Sequence, residues 1–371
     1  MGLAWHNLLH DRLRFAVTVA GIAFAVFLMV FEGSLLAGFM RASSTVVDAT
    51  DADLVVTARG IPAFDFPAPL PDRFREMAFG VPGIARVDRM VVGFAQWHLE
   101  DGSQQGTIVI GADPGIGTRF PVPSSRSLPV GQPEAVVVDR SDFQLLGIRD
   151  VPGNVEIGQR RARVVEGIEG FGSFLGSPYV FASYRDAKRY AGIKDQQTTY
   201  LFCRVRSDHD VEQVKRSLAA RLEEADVWTR QEFASRTKLY WIFQTGAGGA
   251  ILTAGLLGFI VGVVIVSQTI YATTMENIEE YATLRAMGAE SRFLCRIVTL
   301  QALLGGLFGY GLGLLAAIPT VAAMRSAIPW IFTPWWMPLG MLVAGLIMCV
   351  IASLTSIRTV VRVEPGRVFR A

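Results

Sequence analysis

Residues 273–289 read TTMENIEEYATLRAMGA, and this polar stretch lies between two long apolar runs. Glu276, Glu279 and Glu280 gather at its start, where they complement the positive end of a helix dipole. Arg285 stands near the negative end, and Gly288 sits where a left-handed cap forms. The pattern predicts a short polar helix over Thr273–Ala289. Ile278, Tyr281, Leu284 and Met287 recur every three residues, a seam that one partner can hold. A charged helix this short cannot cross a bilayer. It belongs at the water face, within reach of another protein.

Upstream, Leu239–Met275 carries no charge and exceeds the roughly 20 residues that one crossing needs. The surplus predicts a stalk that carries the second span out of the bilayer into the domain, with Tyr240 and Trp241 at the outer interface. Gly246, Gly248 and Gly249 read either as a hinge where stalk meets span or as a close packing point. Downstream, Ile297–Met324 predicts a third span and Met337–Ile357 a fourth. The loop between them, Arg325–Trp336, carries Trp330, Trp335 and Trp336 as interfacial anchors, and Pro329 and Pro334 argue against a continuous helix there. Gly305, Gly309 and Gly313 are spaced four apart, and Gly258 and Gly262 repeat the pattern in the second span. Such small-residue faces let helices approach closely. They serve packing within one four-helix unit or a dimer interface.

The first span is Phe15–Met40. Glu32 lies near its far end and reads either as an interfacial residue or as a substrate or interface contact. Before it, Met1–Arg14 sets Trp5, Leu8, Leu9 and Leu13 on one face, as an elbow helix lying in the interface or simply as a charged flank.

Arg41–Lys238 changes character, with almost equal numbers of basic and acidic residues and only short apolar runs. Leu54–Thr57, Ile108–Ile110, Ala135–Asp139 and Tyr200–Val205 read as strands, and Asp101-Gly102 marks a hairpin between Phe94–Leu99 and Thr107–Ile110. Pro71–Phe79, Tyr184–Ala191 and Val211–Leu222 read as helices; Val211, Val214, Leu218 and Leu222 form an apolar stripe in the last. Pro-rich Ile61–Pro71 and Pro114–Pro133 read as surface loops.

Of 371 residues, 18% are charged against about a quarter in a soluble domain, and half are apolar. These figures point to a lipid-bilayer protein. The net charge of +2 offers no bulk basic signal for nucleic acid. Cys203, Cys295 and Cys349 lie far apart, so the polar region, holding Cys203 alone, has no internal disulfide. A phosphate-cradling loop needs a lysine after a glycine, and none of Lys188, Lys194, Lys215 and Lys238 follows one. ATP, if used, is bound by another polypeptide, and no cofactor is expected in this chain. His6, His10, His98 and His209 are scattered, and no Gly-x-Ser-x-Gly elbow occurs. Asp208/Asp210 and Glu223/Glu224 read as solvated helix ends. Neither a metal site nor a catalytic constellation is expected, and the chain reads as a non-catalytic membrane subunit.

Arg12 and Arg14 flank the first span, and Arg358, Arg362, Arg367 and Arg370 follow the fourth against Glu364, so both ends read as cytoplasmic. The expected fold class is an α-helical polytopic membrane protein with four transmembrane helices and an α+β extracytoplasmic domain inserted between helices 1 and 2. The expected divisions are 1–14 elbow, 15–40 helix 1, 41–238 inserted domain and 239–272 stalk with helix 2. Residues 273–292 are expected as a cytoplasmic polar helix, 293–324 as helix 3, 325–336 as an outer loop, 337–357 as helix 4 and 358–371 as a cytoplasmic tail.

Glu280-Tyr-Ala-Thr-Leu-Arg-Ala-Met-Gly-Ala289, following SQTIYATTMEN, resembles the cytoplasmic coupling segment of FtsX/MacB-type permeases of ABC transporters, and its wording is closest to the DevC-like branch. Span order and the run Glu364–Phe369 extend the resemblance along the chain, whereas the acidic lead-in Met275–Glu279 departs from the basic residues of many relatives. The resemblance implies a type VII-like permease in the bacterial inner membrane, coupled by mechanotransmission to a separate cytoplasmic ABC ATPase. It implies a homodimer, an HlyD-like membrane-fusion adaptor and an outer-membrane channel, with export of an amphiphilic or lipid-like substrate. DevC-like relatives imply glycolipids, and MacB-like ones drugs, peptides or lipoproteins. By match to the motif, Glu280, Tyr281, Leu284, Arg285, Met287 and Gly288 form the docking helix. The alternative is an FtsX-like signalling module that controls a cell-wall hydrolase across the membrane.

Overall fold

The computed structural model describes residues 12–121, 134–276 and 278–361. Most of the expected elbow (1–11), the Pro-rich segment 122–133 and the tail from 362 onward lie outside the described residues. In chain order, α1 (Arg12–Asp48) leads to β1 (Leu54–Ala58), β2 (Leu70–Pro71) and α2 (Arg73–Phe79). Strands β3 (Ile84–His98), β4 (Gln104–Ala112), β5 (Ala135–Asp139), β6 (Gly153–Ile157), β7 (Arg160–Ile168) and β8 (Tyr179–Ser183) follow. Then come α3 (Tyr184–Tyr190), β9 (Gln197–Thr198), β10 (Tyr200–Val205), α4 (Val211–Arg221), β11 (Ala225–Thr229) and α5 (Arg230–Phe243). The remaining helices are α6 (Ala247–Glu276), α7 (Ile278–Ala286), α8 (Ser291–Met324) and α9 (Met337–Val361). Four segments among the described residues are long and apolar enough to cross a membrane: Ala16–Asp48, Ala247–Glu276, Arg292–Met324 and Met337–Leu354.

The chain falls into two compact units. One holds the apolar helices, and the other comprises Phe39–Gly248 with Ile328–Trp330. In the helical unit, α1 is the hub. Ile22, Ala25, Val26, Met29 and Val30 are buried with Val266, Val298, Ala317 and Met348 from the other three long helices. A Cβ built on Gly258 or Gly262 of α6 would meet Leu28 Cβ at 3.3 Å or Ala25 Cβ at 2.6 Å. On α8, a Cβ on Gly309 would lie 3.2 Å from the Val19 carbonyl oxygen and one on Gly313 2.6 Å from that of Ala23, while Gly305 looks onto Ile22 and Thr18 at 3.8 Å. All five glycines therefore face α1 of their own chain. Polar links add to this packing: the Tyr310 hydroxyl donates to the Pro338 carbonyl at 2.8 Å and that of Ser267 to Ala352 at 3.3 Å.

The second unit is the inserted α+β domain. Among the described residues its sheet has nine strands in the order β11-β1-β10-β3-β4-β8-β5-β7-β6, and β6 also pairs with β3 through Trp97 and His98. Six strands thereby close into a ring, and β10, β1 and β11 extend from β3 as a wing. Residues on one face of the ring strands, among them Val91, Trp97, Val109, Val136, Val164 and Val180, share one buried cluster with Ala187 and Tyr190 of α3. The wing is covered on one side by α2 and α4 through Phe74, Ala78, Val214, Leu218 and Leu222. On the other side Val46 and Val47, at the end of α1, join Phe202 and Phe233.

Local chemistry explains the boundaries. Ser103 N–H donates to the Asp101 carboxylate at 2.9 Å and closes the β3–β4 hairpin. Asp210 accepts from Gln213 N–H at 2.9 Å and starts α4. Thr229 and Glu232 form a reciprocal capping box at the start of α5. Of the two readings of the glycines between stalk and span, the structure has a turn: α5 ends at Phe243, and Gly246 takes φ +77° before α6 begins. Two expectations are corrected. Helix α1 runs past Met40 to Asp48, because Val46 and Val47 continue its apolar face into the domain core. Thr273–Glu276 belongs to α6, so the polar helix is the shorter Ile278–Ala286.

Replacing Gly313 by Leu drives a branched side chain into Ala23 and Val26. Overpacking of this kind costs about 1–3 kcal/mol. We expect the melting temperature in detergent to fall clearly for Gly313→Leu. Gly311→Leu on the same helix, where a Cβ meets nothing within 4 Å, should leave it nearly unchanged.

Candidate functional site

The polar segment is fastened to the helical unit along one face. Tyr281 is 2% exposed and packs among Val266, Ile270, Leu294 and Val298, and its hydroxyl lies 3.5 Å from Gln301 Oε1 on α8. Ala282 is buried beside it, and Leu284 is half-buried against the same cluster. The opposite face, Glu279, Glu280, Thr283 and Ala286, is exposed, and Met287 is 72% exposed.

The segment ends as its sequence predicts. Gly288 adopts φ +94°, and Ala289 N–H reaches back to the Leu284 carbonyl at 3.0 Å, the longer bond of a Schellman cap. The turn at Gly288 is exposed, with open space where a Cβ would project. Of the residues expected to dock, Glu280, Met287 and Gly288 share the outer surface. Tyr281 and Leu284 point into the chain's own core, and the Arg285 side chain lies outside the described residues. The evenly spaced seam expected to meet one partner is therefore divided: its middle is spent inside the molecule, because aromatic burial outweighs exposure.

Glu32 is half-buried on α1, its Cβ 3.7 Å from the Cβ position of Gly255 on α6. Among the described residues it has no hydrogen-bond or ion-pair partner.

A second constellation, inside the domain, involves residues that sequence reasoning did not select. Asp65 is 3% exposed and accepts from the Tyr179 hydroxyl at 3.0 Å and from the Trp241 indole N–H at 2.9 Å. Its neighbours repeat the attachment to α5. Phe64 N–H donates to Thr237 Oγ1 at 3.2 Å, and the Phe66 ring lies 5.8 Å from that of Trp241 and 5.3 Å from that of Tyr240. Three consecutive loop residues thus clamp one face of α5. Burial pushes the Asp65 carboxyl up to about 6, against the two hydrogen bonds, which favour the charged form. The only legible signal was the aromatic pair flanking Asp65; nothing local tied it to Trp241.

Residues 15–221 match the MacB-like periplasmic core domain, and 252–365 match the FtsX-like permease C-terminal domain. The two matches run in the order and positions of the inserted domain and the later helices.

The chain belongs to the FtsX/MacB-type ABC transporter permeases.

Two uncharacterised ABC transporter permeases of Mycobacterium tuberculosis, from strains CDC 1551 / Oshkosh and ATCC 25618 / H37Rv, are similar to it. Each is 23% identical over 364 residues, covering 96% of this chain and 95% of the relative. Among solved structures, the extracellular domain of the ABC-type transporter YknZ from Gram-positive bacteria aligns at TM-score 0.36 and 14% identity, covering 48% of this chain and 98% of that one. The periplasmic region of MacB from Actinobacillus actinomycetemcomitans aligns at 0.36 and 9%, covering 49% and 91%. As an ABC transporter permease, the chain works with a partner ATPase subunit.

The Asp65 clamp has a pH signature. The carboxyl titrates near 6 in the fold and near 3.8 when exposed, so the folded state holds its proton more tightly. Stability is then lost as pH rises through that window, by about 3 kcal/mol in all, and no further above it. Asp65→Asn gives up one acceptor at every pH but removes the titration. We expect the stability difference between the permease and this variant to shift by about 2 kcal/mol between pH 4 and 6.5, measured by denaturant unfolding followed through tryptophan fluorescence.

Proposed function

We propose that the permease is a non-catalytic subunit, without a cofactor of its own, that converts ATP-driven motion of a cytoplasmic ATPase into export of an amphiphilic or lipid-like substrate. It sits in the bacterial inner membrane as a homodimer, with both termini cytoplasmic. A membrane-fusion adaptor and an outer-membrane channel receive the substrate.

The observation that carries this reading is the one-sided anchorage of α7. A lever needs a stiff attachment and an accessible end. Tyr281, Ala282 and Leu284 supply the attachment by sinking into the core between α6 and α8. Glu279, Glu280 and Met287 supply the end, and the turn at Gly288 leaves room for a partner's side chains. A push on that face moves α6 and α8 together, since a packed interface shifts as a body rather than deforming. Tyr281 and Leu284 act here as anchors, and the docking contacts fall to their exposed neighbours.

Met287→Asp introduces a charge at an exposed position and leaves the core intact. In proteoliposomes containing the permease and its partner ATPase, we expect this variant to lower permease-stimulated ATP hydrolysis about tenfold, with unchanged thermal stability. ATP-driven movement of a labelled glycolipid should fall in parallel. Wild-type coupling in the variant would remove this face from the interface.

A further inference from the structure

The inserted domain contains a basic cavity of about 650 Å³, remote in sequence from the coupling segment and separate from the Asp65 clamp. Its cations come from three places that the sheet topology brings together. Arg89 projects from β3, Arg160 opens β7, and Arg185, Lys188 and Arg189 lie on α3. Among the described residues, the carboxylates Asp72 and Asp195 share the wall with them, and Asp72 lies 3.9 Å from Arg89 and 4.0 Å from Lys188.

Three of the five cations are held in place. The Arg89 guanidinium forks onto Asp113 with two bonds of 3.1 Å and lies 4.3 Å from the centre of the Tyr184 ring. The Lys188 side chain is 9% exposed; its ammonium donates to the Asp195 carbonyl at 2.6 Å and sits 5.4 Å from the same ring. Arg189 stands 3.8 Å from Asp186. The Arg160 and Arg185 side chains differ: among the described residues, neither makes a hydrogen bond or an ion pair, and both are exposed. Lys215 is matched by Glu232 and Arg86 by Asp88, whereas Arg160 and Arg185 are distinguished by opening onto the same cavity.

A concave wall with a surplus of positive charge focuses potential and draws anions. Unspent guanidinium forks fit the oxygens of phosphate or carboxylate in pairs. Phosphate, with more charge and oxygen atoms on several sides, meets cations converging from β3, β7 and α3 better than a single planar carboxylate does. Burial pushes the Tyr184 hydroxyl up to about 12, so it adds no opposing charge at neutral pH. Asp72 accepts from that hydroxyl at 3.3 Å, which holds part of the acidic wall in place.

We propose that this cavity binds a phosphate group, with Arg160 and Arg185 closing on its oxygens and Arg89 and Lys188 supplying the fixed positive floor. The group belongs either to the headgroup of a phosphorylated amphiphile or to a free phosphate. Binding needs neither ATP nor a partner ATPase, so this inference goes beyond the transport reading and stands or falls apart from it.

The test uses the full-length permease in dodecyl maltoside and phosphate-free buffer, titrated calorimetrically with inorganic phosphate, pyrophosphate and soluble dihexanoyl phosphatidic acid. Saturable binding that weakens about tenfold or more in the Arg160→Glu/Arg185→Glu double variant is the expected result. An Arg149→Glu/Arg216→Glu variant, which changes the net charge equally outside the cavity, should bind within about twofold of wild type. Tighter binding of the phosphatidic acid than of the inorganic probes assigns the site to an amphiphile headgroup, and equal or weaker binding assigns it to a free anion; either supports the proposal. Absence of saturable binding by every probe up to about 10 mM overturns it, as does undiminished binding by the folded double variant. Binding of an acidic peptide without any phosphate probe also overturns it, in favour of a protein partner.

Discussion

Close approach of backbones around α1 is the constraint on which the helical unit depends. Between apolar helices in lipid there is little hydrophobic gain from association, so packing and polar links must supply the attraction. Glycines provide that packing by removing the side chain where the axes come nearest. Gly309 and Gly313 bring α8 onto the Val19 and Ala23 carbonyls, while Gly258 and Gly262 bring α6 against Leu28 and Ala25. On α9 and α1 the same device is softened by methionine: a Cβ on Gly33 would meet the flexible tips of Met341 and Met337. Rigid contacts therefore lie where α1 meets α8 and α6, and a more adaptable one where it meets α9.

The elements that the chain announces locally were the ones legible in its sequence. Apolar runs located the four long helices, Gly288 announced its cap, and Asp101-Gly102 its hairpin, because each signal lies within a few residues of its effect. Ala135–Asp139 and Tyr200–Val205 were readable as strands for the same reason. The corrections share the opposite cause. Tyr281 and Met287 look alike along the helix, and only contact with Leu294 and Val298 decides which is buried. Strands β6, β7 and β11 went unread because polar residues alternate through them; β6 and β7 pair with each other across a short turn, whereas β11 pairs with distant β1. The start of α5 was within reach, since Thr229 and Glu232 spell a capping box. The clamp on α5 was not, because Asp65 and Trp241 meet only in three dimensions.

The two connections between spans and domain are built differently. Helix α1 passes from the helical unit into the domain as one uninterrupted helix, and Asp48, at its end, lies 3.8 Å from Lys238 of α5 while its carbonyl accepts from Arg230. Helix α5 is held to the domain by Thr237, Tyr240 and Trp241 on one side and by Phe233 in the sheet core. Its covalent continuation into α6 passes through Gln244–Gly246, where the helical hydrogen-bond ladder stops and a positive φ turns the chain. Gly248 then abuts the Ile242 carbonyl at 2.8 Å from its Cβ position, so the turn is tight rather than slack. A continuous helix transmits twist and axial displacement, whereas a glycine turn passes on displacement but lets orientation change.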